Sequence, residues 1–340
     1  MTKSVADYEN AAFYYAKLIE NKRYFFYDYV IYWKNSQFTS YTDVWSALFN
    51  GISSSSELIS IMKLTNSTYT GTQSQLNLLS RDKKLKPSEQ YKSLSDNQVY
   101  CFKEETSSVP KFTLGDLRYR GAILTDHVID SVYNATSKRI GAIAKYSNSN
   151  IMIYRKALLY LRYAEAVNRA GKPTLSFAVL KYGLNSTNLA DKSRIASIEL
   201  ADNKPYVEIF KDKIFDFNMG VHTRGSGNST LNTAYVIPNY TRYVTLKDIH
   251  GNDSIAPTKD LIKIAEAKSD TILFVENAIC DELALETAME GNRFQDLMRI
   301  SNHRNNPAFL ADKVAKKHKT DYSHFYEILK DKNEWYLPIK

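Results

Sequence analysis

A mainly α fold, built from tetratricopeptide-like helix hairpins and carrying a loop-rich irregular subdomain with a few short strands, is what this 340-residue sequence predicts. Three observations predict it. Between Tyr154 and Asn185 two apolar-periodic runs flank Gly171–Lys172–Pro173, a stop signal followed by a start signal. Between Thr271 and Arg299 a second long helical pattern breaks only at Gly291. The stretches around 64–110 and 186–260 are rich in Ser, Thr, Asn, Gln or Gly and lack a sustained period.

The elements follow in chain order. In VADYENAAFYYAKLIENK, Ala11, Ala12, Tyr15, Ala16, Leu18 and Ile19 give an amphipathic helix near 5–20. An aromatic block follows, with Phe25, Phe26, Tyr27, Tyr29, Tyr32 and Trp33, then Trp45 and Phe49. The first long pattern predicts helices near 154–170 and 174–183, joined by a turn short enough to make them antiparallel. Ala164, Ala166 and Ala170 let the second helix come close. A lone hairpin cannot bury both faces, so neighbouring helices are implied. Further on, Tyr235, Ile237, Tyr243 and Val244 around Pro238–Asn239 suggest short strands within 186–260. The helical pattern returns at Lys259, with a helix expected near 271–290.

Composition excludes several classes. With 44% hydrophobic residues the chain can bury a sizeable core. The net charge of +8 raises nucleic-acid binding. The charge is spread, however, and its one local cluster, Lys313, Lys316, Lys317, His318 and Lys319, reads as a solvated helix face. No apolar run reaches the length of about 18 residues that a transmembrane helix needs. Cys101 and Cys280 have neither metal-ligand spacing nor the number for a disulfide framework, and whether they pair is open. No two histidines stand three or four residues apart, so no helical zinc site is expected. Gly225, Ser226 and Gly227 lack the third glycine of a dinucleotide loop, and Thr230 stands in its place. Neither cofactor nor metal is implied.

Glu282, Glu286 and Glu290 line one helical face. Stacked carboxylates repel unless cations sit nearby, so they read as a structural ion-pair lattice, with Arg293 or Arg299 as the expected partners. His222 beside Arg224, in a glycine-rich loop, offers hydrogen bonds to a polar ligand, against the plainer reading of a locally satisfied loop histidine. Aromatic rings in polar, loop-like segments can stack on sugar rings or anchor peptides. On that ground Tyr235, Tyr240, Tyr243 and Trp33 join His222 and Arg224 as candidate ligand-binding residues, with no catalytic residue assigned.

Five short segments in order carry a resemblance to a known family: the alanine-rich helix ending in Asn21–Tyr24, SSSSELISIM from Ser53, LGDLRYRGAI from Leu114, YRKALLYLRYAEAVNRAGKPTLSFAVLKYGLN from Tyr154, and NAICDELALETAMEGNRFQDLMR from Asn277. The closing NEWYLPIK is similar too. Together they resemble the SusD/RagB nutrient-binding lipoproteins of Bacteroidetes-type outer membranes. In that family the serine- and glutamate-containing turn leads into a strand. The resemblance implies a single domain over 1–340, with a helical scaffold at about 1–62, 150–186 and 259–302 and ligand-binding insertions at about 63–149 and 187–258. It implies a non-enzymatic, lipid-anchored protein on the extracellular face of the outer membrane. Such a protein captures an oligosaccharide or peptide and delivers it to a SusC-like TonB-dependent transporter. The family's export signal, lipid-modified cysteine and first hairpins are not seen in this sequence, so an N-terminal truncation is expected, with an uncovered apolar side on the first helix. Competing readings are an α-helical glycan hydrolase, for which Asp116 and Glu165 are the carboxylates to test, and a helical-repeat scaffold that binds protein.

Overall fold

The computed structural model of the chain describes residues 4–21, 57–63, 79–80, 84–103, 110–123, 143, 145, 150–227, 234–237, 258–318 and 320–336. Trp33, Tyr240 and Tyr243 lie outside them, as does the aromatic block at 25–49. The described residues are mainly helical, with thirteen α-helices and four short strands.

The centre is the predicted hairpin. Helix α1 spans Val5–Glu20, α4 spans Lys156–Arg169 and α5 spans Pro173–Lys181. Every residue of α4 except Arg162 and Arg169 is buried, the condition of a helix packed on several sides. Its neighbours are α1, α5 and the long helix α10, Thr258–Glu286. At the hairpin turn Gly171 takes φ 83°, the Lys172 amide bonds back to Val167, and Pro173 opens α5 at its first turn. The Ser176 hydroxyl donates to the Ala164 carbonyl at 2.7 Å, a contact that the small residue permits. Helix α1 buries Ala12, Ala16 and Ile19 against this centre. Tyr14 and Leu18, four residues apart on its other side, are exposed.

Strands β1 (Leu58–Lys63) and β4 (Asn150–Arg155) pair antiparallel, and so do β2 (Val99–Lys103) and β3 (Pro110–Leu114). Between them stand α2, Glu89–Asp96, and α3, Leu117–Ala122. While the Pro238–Asn239 turn, Tyr243 and Val244, on which the expectation of strands within 186–260 also rests, lie outside the described residues, the described part of that stretch holds no strand. Instead α6 (Ser186–Ala190), α7 (Ser197–Leu200), α8 (Pro205–Glu208) and α9 (Thr223–Ser226) follow one another. The cause is local. Asn185 accepts from the Asn188 amide and Asp212 from the Ile214 amide, and Pro205 starts a helix. Such side-chain caps close helical turns where a ladder would need free amides. Nor is 187–227 peripheral. Leu189, Ile195, Tyr206, Val207, Phe210, Phe215 and Val221 belong to the same core as the hairpin.

After α10 come α11 (Arg293–Arg304), α12 (Pro307–Ala315) and α13 (Tyr322–Leu329). They close a second, smaller core with Cys280, Leu297, Ile300, Leu310 and Trp335. Cys101 and Cys280 are both free and buried. Among the described residues no helix is long and apolar enough to cross a membrane, and no cluster of His, Cys, Asp and Glu is arranged to hold a metal.

Candidate functional site

The glutamate row is the hub of a buried ion lattice, although the helix expected to reach 290 ends at Glu286, so that Glu282 and Glu286 stand on α10 and Glu290 in the turn just beyond it, where Met289 takes φ 64°. Glu282 accepts from Arg118 at 2.8 Å and lies 2.5 Å from His222 Nδ1. Glu286 meets Arg118, Arg155 and Arg224 at 3.1, 2.7 and 3.2 Å. Glu290 meets Arg155 at 2.9 Å and Lys145 at 2.7 Å. Glu57 bridges Arg155 and Arg224, and Asp116 holds Arg118 with two further bonds. Five carboxylates thus face four full cations and one imidazole among the described residues, with every side chain at most 6% exposed.

The expectation that Arg293 or Arg299 neutralises this row is corrected. Arg293 donates to the Cys280 carbonyl at 2.8 Å, while Arg299 binds Glu165 and Asp296. The true partners come from segments remote in sequence, which helical spacing cannot reveal.

Each partner is placed by its own local structure. Asp116 caps α3 by accepting from the Arg118 amide at 2.9 Å, and the same carboxylate fixes the Arg118 guanidinium. Arg155 ends β4 directly before α4. His222 and Arg224 sit on a return segment whose Val221 and His222 amides bond to the Val179 and Leu180 carbonyls at the end of α5. Gly225 faces Asp116 so closely that a Cβ there would stand 2.3 Å from its carboxylate oxygens. The glycine-rich loop is therefore a close-packing device against an ion pair.

The electrostatics follow. Burial alone would raise the Glu282 carboxyl, yet Arg118 and His222 hold it down to about 2. Arg224, Arg155 and Arg118 keep Glu286 well below the usual carboxylate range against the same burial. Burial lowers Lys145 to about 8, opposed by Glu290. Held this way, Glu282, Glu286 and Glu290 are fixed anions that pin segments together.

The predicted ligand residues that are described belong to this interior. His222 and Arg224 are buried and bound to the protein's own carboxylates, so they are not an open ligand surface. Tyr235 is partly buried and stacks on His222, with ring centroids 3.7 Å apart, and on Phe177 at 5.0 Å. The hydrolase pair fares similarly. Asp116 is bound to Arg118, whereas Glu165 binds Arg299 and Arg169 in a different network, where these arginines hold it below its usual value despite burial.

Among the described residues two clefts are open instead. One, of about 250 Å³, lies between α1, α4 and α11 and is lined by Tyr8, Tyr15, Arg162, Arg169, Arg299 and His303. Its arginines are taken up by Glu165, Asp296 and Glu276. The other, of about 390 Å³, lies between α2, α10 and α12, within the size range of small-ligand sites. Ser88, Gln90, Ser93 and Asn97 line one wall, Arg293, Lys313, Lys316 and Lys317 another, and Tyr91, Leu94, Ala288 and Met289 supply apolar surface. Sequence reading missed this cleft. Its signals were Ser88, which caps α2 by accepting from the Tyr91 amide, and the Lys313–Lys317 cluster taken for a solvated face.

No family model, curated protein or solved structure matches the chain.

Proposed function

We propose that this chain is a non-enzymatic binding protein of the SusD/RagB kind. It captures oligosaccharide, or peptide, at the outer face of a bacterial outer membrane and passes it to a SusC-like TonB-dependent transporter. A lipid anchor holds it there. One observation carries the reading. The family-like segments, far apart in sequence, supply seven of the ten members of one lattice: Glu57 from SSSSELISIM, Asp116 and Arg118 from LGDLRYRGAI, Arg155 from the hairpin signature, and Glu282, Glu286 and Glu290 from the second helical signature, with Lys145, His222 and Arg224 coming from elsewhere. That the segments picked out by one resemblance converge on one buried lattice supports reading them as parts of a common scaffold. Loops and clefts on such a rigid scaffold are where ligand specificity resides.

The test is a binding screen of the full-length protein against glycan and peptide libraries, with affinity capture of membrane partners from the source cells. Unmodified ligand bound reversibly, together with a co-purifying TonB-dependent channel, is the expected result. Turnover of a bound glycan, or capture of soluble proteins alone, would overturn it.

A further inference from the structure

We propose that the 390 Å³ cleft between α2, α10 and α12 binds an acidic saccharide, one bearing carboxylate or sulfate groups. Its saccharide character rests on the function proposed above, and its anionic character rests on the cleft alone.

Four cations, Arg293, Lys313, Lys316 and Lys317, line the cleft against one carboxylate, Asp281. Lys313 lies 3.6 Å from Asp281, and Lys316 is offset by Asp312 at 2.7 Å. Among the described residues Arg293 and Lys317 make no ion pair with a carboxylate. The Arg293 guanidinium is held in place by the Cys280 carbonyl and sulfur, at 2.8 and 3.4 Å. An arginine oriented by neutral acceptors keeps its full charge and remaining donors for a ligand. The 250 Å³ cleft differs on this point, because its arginines already bind internal carboxylates.

The opposite wall selects among anions. Gln90 and Asn97 present side-chain amides and Ser93 a hydroxyl, groups that donate to and accept from sugar hydroxyls. The floor of Leu94, Ala288 and Met289 suits the C–H face of a sugar ring. A cationic wall facing an amide wall over an apolar floor matches a ring with hydroxyls on one edge and an acid group on the other. A nucleic acid would need a longer basic track and exposed stacking rings. Tyr91, the aromatic ring in the lining, is only 8% exposed.

The experiment is calorimetric titration of the full chain at low and at physiological salt with three probes. They are an oligogalacturonide, a neutral maltooligosaccharide of equal length, and a single-stranded oligodeoxynucleotide of equal charge. The oligogalacturonide should bind most tightly, and its affinity should fall with salt, as ion screening requires. The double variant Lys316→Gln/Lys317→Gln removes two exposed charges and one exposed ion pair, so its melting temperature should shift by only a few degrees while affinity drops by about tenfold or more. Asn97→Ala should weaken the oligogalacturonide and leave the oligonucleotide unaffected. Tighter binding of the oligonucleotide, or oligogalacturonide binding that survives the double variant, would overturn the proposal. Binding of the neutral sugar alone would also overturn it and leave the capture function standing. Failure of every saccharide in this titration and in the library screen would count against both.

Discussion

Arg155 touches more of the lattice than its neighbours do, reaching Glu57, Glu286 and Glu290 and the Glu286 carbonyl. Replacing it with methionine leaves three buried carboxylates short of a counterion, a loss of about 3–5 kcal/mol. Arg293→Ala removes one bond to a carbonyl and a weaker one to a sulfur from a partly buried side chain, so about 1 kcal/mol is expected. Denaturant titration of both variants separates them, and equal losses would contradict the assignment of partners. Acid acts on Glu282 of this lattice and on Glu276, which Arg169 and Arg304 hold in the neighbouring network. Glu282 and Glu276 lie near 2 in the folded chain against an ordinary 4.5, so the unfolded chain binds protons more readily between those values. The stability they contribute, on the order of 3 kcal/mol each, is whole above pH 4.5 and is lost as the pH falls toward 2. A melting temperature flat from pH 5 to 3 would exclude this. At this scale the glutamate row was legible as a lattice needing cations, because like charges on one helical face demand them. The identity of the cations was not, since nothing local connects Arg118 or Arg155 to position 286. His222 and Arg224 were noticed for their chemistry but assigned to a ligand. Only tertiary structure brings them to Glu282 and Glu57.

The helices show how ends are finished by distant residues. Lys156, the first residue of α4, is buried, and its ammonium donates to the Ile19 carbonyl at the end of α1, with the Leu18 and Asn21 carbonyls also near. A cation at a helix C-terminus satisfies orphan carbonyls and complements the dipole. Lys156→Met should therefore cost about 1–2 kcal/mol, and amide exchange should rise in the last turn of α1 more than in α5. Uniform protection in α1 would remove Lys156 from this role. Glu199 does the reverse at α5, accepting from the Thr174 and Leu175 amides at 3.1 and 2.8 Å, while burial lifts its carboxyl to about 7. The hairpin itself was legible, since periodicity, Gly171 and Pro173 all agree on it. The short helices at 186–227 were not, because at four or five residues each is too short to show a period, and α2, eight residues long and opened by the Ser88 cap, was hidden for a similar reason.

Over the whole molecule, burial is uneven, and so stability should be. In α5 every residue is buried, whereas in α13 Leu329 alone is. Hydrogen exchange measured across the chain should find α4 and α5 slowest and α13 among the fastest of the described helices. Protection of α13 equal to that of α5 would mean that the smaller core does not open separately. The order in which these parts come together has its own logic. Arg155 reaches Glu57 across 98 positions and Arg118 reaches Glu286 across 168. The lattice therefore cannot form until long stretches of chain have closed into loops. Until then Glu282, Glu286 and Glu290, gathered at the end of α10, repel one another, and any collapsed form lacking one arginine would bury a bare charge. Such forms are penalised by several kcal/mol. The lattice thus acts as a proofreading step in assembly: the end of α10 can dock only when every contributing segment has already arrived.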